Sequence, residues 1–67
     1  MTNYKKIGER LKRIRRENNL TQEKLAEMAE VDPKSVIEIE NGKRNLTIKT
    51  LSKLASALKV SISDILE

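Results

Sequence analysis

LTQEKLAEMAEVDPKSVIEIENG, running from Leu20 to Gly42, carries two short apolar stripes at helical spacing. In the first, Leu25, Met28 and Ala29 are expected to face inward, and Ala26 is small enough for close helix approach. Thr21 precedes it as an N-cap whose hydroxyl accepts from first-turn amides, and Glu23 adds favourable negative charge there. The second stripe, Val36 and Ile39, is announced by Asp32-Pro33: Asp forms N-caps, and Pro at the first helical position sacrifices no hydrogen bond. Gly42 suits the position just past its end, where φ is often positive. Only Glu30, Val31 and Asp32 connect the two, and so short a connection forces a large angle between helices. Val31 is expected to plug inward between them.

Outward from this pair the helical period recurs and the strand template fails, because no β-branched run alternates apolar with polar. Upstream, Ile7, Leu11 and Ile14 mark a helix over 4–18, with Arg15 and Arg16 in the last turn, where the dipole favours cations. Asn18 and Asn19 tolerate the left-handed conformation that ends helices. Downstream, Leu51, Leu54, Ala55 and Leu58 mark a helix over 48–58 after Thr47, with Leu46 and Ile48 at its entry. Ser61 and Asp64 have capping-box spacing ahead of a short helix over 62–66. With 22–29 and 33–41 these make five helices, and the expected fold is a compact all-α bundle forming one domain over residues 1–67.

Composition removes several classes of function. With 37% apolar residues, one Tyr and neither Phe nor Trp, the core must be aliphatic. There is no Cys for a disulfide or thiolate metal site, and no His to act as general base or neutral metal ligand. The two Gly are far apart and form no phosphate-cradling loop, so an enzyme is rejected and no metal or cofactor is expected. No apolar run approaches the roughly 20 residues that span a bilayer, and MTNYKKIGER has no signal-peptide core, so a soluble cytoplasmic protein is expected. The net charge of +4 favours an anionic partner, but its distribution says more. Residues 1–20 hold seven Lys/Arg and two acids (+5), residues 21–42 two Lys and six acids (−4), and residues 43–67 five Lys/Arg and two acids (+3). Positive charge flanks the helix pair and does not lie within it.

Two helices at a steep angle across a three-residue turn describe helix-turn-helix geometry, in which the second helix offers its N-terminal residues to base edges in the major groove. Three phrases in order, IGERLKRIRRENNLTQEKLAE, VIEIENGKRN and TIKTLSKLASALKVSISDIL, resemble the helix-turn-helix domains of phage repressors, Cro-type proteins and restriction–modification controller proteins. The resemblance covers Ile7 to Leu66 and implies a five-helix bundle encoded by a bacterium or phage. It further implies that Pro33, Lys34 and Glu38 reach base edges, and that Gln22 bonds a phosphate through its side chain. Ser35 and Asn41 would lie near phosphates, with Lys43 and Arg44 on the flanking backbone. Arg15 and Glu40 match a partly buried salt bridge joining helix one to helix three. The last helix of the family often forms a dimer contact, which here means Ile62, Ile65 and Leu66. All three could instead be core, but so short a terminal helix is expected to expose one or two of them, and exposed apolar surface there suggests self-association.

The chain departs from the family pattern at four places. Glu30 stands where Gly is usual, and positive φ at a non-Gly residue costs about 1 kcal/mol. Pro33 offers only apolar contact, suited to a thymine methyl. Ile37 replaces a small residue and either packs against a neighbour or is exposed near the DNA. Glu38 is acidic: it either accepts from cytosine N4 or pairs with Lys34 one turn back. Lys34 itself is a guanine or phosphate ligand, or a solvated first-turn lysine that the helix dipole mildly disfavours. The expected function is a dimeric, sequence-specific double-stranded DNA-binding regulator on a palindromic operator, with no small-molecule ligand. The alternative is a protein-interaction module on the same fold, which the acidic segment makes conceivable.

Overall fold

Each helix begins behind a polar side chain that takes up one of its orphan amides. The computed structural model describes residues 3–43 and 46–67. Its helices are α1 (Tyr4–Glu17), α2 (Gln22–Ala29), α3 (Pro33–Glu40), α4 (Ile48–Leu58) and α5 (Ile62–Leu66), with no strand among the described residues. The N-caps are Asn3, Thr21, Asp32, Thr47 and Ser61. At Ser61 the cap is reciprocal: Asp64 N–H donates to the Ser61 hydroxyl at 3.2 Å and Ser61 N–H to the Asp64 carboxylate at 3.0 Å.

The helix ends share one device as well. Asn19 (φ 58°), Glu30 (φ 57°), Gly42 (φ 72°) and Lys59 (φ 58°) are all left-handed. The following residue's N–H then reaches back to a carbonyl of the last turn: Leu20 to Arg15, Val31 to Ala26, Lys43 to Glu38 and Val60 to Ala55, all at 3.0–3.1 Å. Leu20, Val31 and Val60 also lay aliphatic side chains on the core, so three of the four turns are fastened by an apolar contact as well as a hydrogen bond. α1 and α3 end one residue earlier than their spacing predicts, because Asn18 and Asn41 serve as C-caps.

α1 gives Ile7, Leu11 and Ile14 to the core, α2 Leu25, Ala26 and Ala29, α3 Val36 and Ile39, and α4 Leu51, Leu54, Ala55 and Leu58. Two expectations are corrected here. Met28 does not face inward but is 46% exposed, because Ala26 and Ala29 bring α2 close to its neighbours and rotate Met28 to the rim. Ile65 is fully buried, so it belongs to the protomer's own core and cannot be offered to a second copy. At the entry to α4, Leu46 packs on the core while Ile48 is largely exposed.

Both glycines sit where α1 meets the end of α3. A Cβ on Gly8 would run into the backbone carbonyls of Ile39 and Glu40, the latter at 2.8 Å. One on Gly42 would stand 3.0 Å from the Cα of Lys5. Gly8→Ala is therefore expected to destabilise the fold by about 1–3 kcal/mol through overpacking, despite alanine's better helix propensity. An unchanged denaturant midpoint would show that α1 can slide aside at no cost. Glu30→Gly should do the reverse, stabilising by about 1 kcal/mol and raising Tm by about 4–8 °C as the positive φ loses its penalty. Thermal unfolding followed by circular dichroism measures both.

Candidate nucleic-acid interface

The candidate surface begins at the turn Glu30–Asp32, where left-handed Glu30 reverses the chain and Val31 anchors it against the core. The Asp32 carboxylate accepts from Lys34 N–H at 2.9 Å, and Pro33 opens α3. Val36, Ile39 and Glu40 then define the inward side of α3. Pro33, Lys34 and Asn41 are exposed, and Ser35 and Glu38 are half-buried. Ile37, for which two placements were open, is exposed and stands outside the core. Lys43 is exposed just beyond α3, whereas Arg44, expected beside it, lies outside the described residues. The Lys5 backbone lies against Gly42, which brings the basic N-terminal end of α1 to the same place as Lys43.

A buried polar cluster sets the position of α3. Arg15, from α1, holds Glu40, from α3, with two prongs: Nε donates to Oε2 at 2.6 Å and Nη2 to Oε1 at 3.0 Å. The two side chains are only 8% and 2% exposed. Arg15 Nη1 also donates to the Leu20 carbonyl at 2.7 Å, tying in the turn before α2. Gln22, the first residue of α2, donates Nε2 to Glu40 Oε1 at 3.0 Å. An ionised carboxylate only accepts, so the amide must turn its NH2 toward Glu40, which leaves one N–H of Gln22 over. That tie was not visible in the sequence, since the partners are eighteen residues apart. Among the described residues no buried side-chain nitrogen or oxygen lacks a partner.

Within the acidic segment Lys24 is paired with Glu27 at 3.0 Å on the surface, so Lys34 is the cation that α3 itself presents. At the far end of the molecule Arg10 Nη1 donates to the Leu66 carbonyl at 2.8 Å and fastens α5 to α1. Leu66 remains 40% exposed and Ile62 is half-buried. No helix among the described residues is long and apolar enough to cross a membrane. Replacing Glu40 by Gln breaks the buried pair and leaves the guanidinium without its counter-charge. The expected loss is about 3–5 kcal/mol in urea denaturation. A change below about 1 kcal/mol, the range of exposed pairs, would contradict the burial seen here.

The fold recurs in known proteins. The helix-turn-helix family profile matches residues 11–65. The chain is 39% identical over 59 residues to the immunity repressor protein of Bacillus phage phi105, covering 88% of this chain and 41% of the repressor. It thus spans about two fifths of that relative's length. It is 34% identical over 61 residues to the control protein C.MunI of a Mycoplasma species, covering 90% of this chain and 82% of that one. Among solved structures, the restriction–modification controller protein C.AhdI from Aeromonas hydrophila superposes with a TM-score of 0.90 at 34% identity, covering 92% and 94% of the two chains. The wild-type controller C.Esp1396I superposes with a TM-score of 0.84 at 38% identity, covering 91% and 79%. The chain belongs to the helix-turn-helix family.

Proposed function

We propose that this chain acts in the cytoplasm as a dimer on a palindromic DNA operator, with α3 of each copy in the major groove. The observation that carries the reading is the outward side of α3. There Pro33 and Lys34 stand exposed on the first turn, directly after a turn held by Val31, while Val36 and Ile39 hold the opposite side in the core. Lys34 bonds guanine O6 and N7, Pro33 makes apolar contact, and Glu38 accepts from cytosine N4. Gln22 gives its remaining N–H to a phosphate, and Ser35, Asn41, Lys43 and Arg44 follow the backbone. Net charge of +5 before the helix pair and +3 after it supplies the phosphate attraction that the pair lacks.

Self-association uses α5. With Ile65 in the core, the contact reduces to Leu66 and the edge of Ile62, held in place by Arg10. A two-fold dimer would set two copies of α3 about 34 Å apart, one turn of DNA. Selection of bound sequences from a random duplex pool tests the reading. A palindromic consensus supports it, while the absence of any preference, with a protein partner recovered instead, would favour an interaction module.

Lys34→Ala should cost about 1–3 kcal/mol on the preferred duplex and relax selectivity at one base pair per half-site. Lys43→Ala should weaken binding to all duplexes alike and reduce the salt slope by about one. Fluorescence anisotropy across a salt series separates the two roles. Equal effects of both variants on every duplex would show that Lys34 reads no base.

A further inference from the structure

We propose that Ile37 is a specificity-determining residue that reads the 5-methyl group of a thymine in the operator. The proposal rests on the DNA-reading function above and adds a residue and a base to it. At about 100° per residue, Ile37 follows Pro33 around α3 by about 40° and lies about 60° from Lys34. Pro33, Ile37 and Asn41 thus form one ridge at four-residue spacing beside Lys34, and all four residues are exposed. By the same rotation the buried residues Val36 and Ile39 lie about 100° and about 160° from Ile37, and buried Glu40 about 60°. Ile37 therefore stands on the exposed flank of α3, between Lys34 and Glu40.

An isoleucine there has few partners. It carries no donor for a phosphate and no acceptor for an amino group. Among the groups that distinguish the base pairs in the major groove, the thymine methyl alone is apolar, so it is the base feature its side chain complements. A cytosine at the same place presents only its C5–H where thymine carries the methyl, so the apolar contact is lost. Ile37 is 41% exposed, so hydrocarbon remains on its surface to be withdrawn from water on docking. Its branched Cβ holds one main rotamer in a helix, so little side-chain freedom is lost on contact. Burial of a single methyl corresponds to about a fourfold change in Kd.

The experiment uses the full chain and the consensus duplex from the random-pool selection, with each thymine replaced in turn by deoxyuridine, which lacks only the methyl. Binding is read by anisotropy for the parent, Ile37→Ala, Ile37→Val and Lys34→Ala, with circular dichroism to confirm that each is folded. At one thymine per half-site the parent should lose about fourfold with uracil. Ile37→Ala should bind thymine and uracil equally there, Ile37→Val should fall between, and Lys34→Ala should keep the parent's preference. The proposal is overturned if Ile37→Ala retains the parent's thymine preference at every position, or if the parent shows none. A parent that selects no consensus at all overturns the DNA-reading function itself, an outcome distinct from either.

Discussion

The bidentate pair between Arg15 and Glu40 is the constraint around which the functional surface is organised. It joins α1 to the last turn of α3, and through Leu20 and Gln22 it also holds both the approach to α2 and its first residue. Ion pairs so deeply buried are poor sources of net stability, since desolvation offsets most of their attraction. Their geometry is demanding, however, and this one admits a single arrangement of three helices. Apolar packing alone would hold α3 near the core but would tolerate small rotations about its axis. Even a few tens of degrees, well short of the roughly 100° between successive residues, would re-aim Lys34. The polar cluster thus sharpens the angle at which α3 faces outward, an angle that Val36 and Ile39 already set by facing the core.

The backbone carries a second layer of specification. Gly8 lets α1 approach the carbonyls of Ile39 and Glu40, which is what brings Arg15 within reach of its partner. Three non-glycine residues accept left-handed conformations at helix ends, and each is followed by an aliphatic residue anchored on the core. The mild strain of Asn19, Glu30 and Lys59 is offset at the very next position. In a chain with no disulfide and no aromatic core, such repeated short-range fastening does much of the work that a larger protein leaves to hydrophobic volume.

Most of the fold is legible in the sequence. Thr21, Asp32-Pro33, Thr47, Ser61 and Gly42 mark helix ends by local chemistry, and local chemistry survives folding. Apolar spacing names the buried face of α1 and α4 for the same reason. It errs at Met28 because spacing defines a face but not its rotation against a neighbour, whereas the dimer contact at Ile65 came from the family resemblance. Ala26 and Ala29 set that rotation for α2, while the packing of α5 against α1 and α4 takes Ile65 wholly inside. The exposure of Ile37 and the Gln22–Glu40 bond are tertiary facts. No pattern within one helix contains them. Gly8 did leave a signal, a glycine within an otherwise strong helix, but only the nearby carbonyls give it meaning.

The division of charge along the chain bears on how such a protein would behave in a crowded nucleoid. Helices α2 and α3 and their turn carry net negative charge, and their surface lysine Lys24 is occupied by Glu27. Attraction to phosphates is then confined to the basic segments on either side, residues 1–20 and 43–67. Genomic DNA presents on the order of a million or more competing registers, so occupancy at one address depends on the ratio of right to wrong binding. Under the proposed function, discrimination would then have to come from α3 itself, since the flanking basic segments attract every duplex alike.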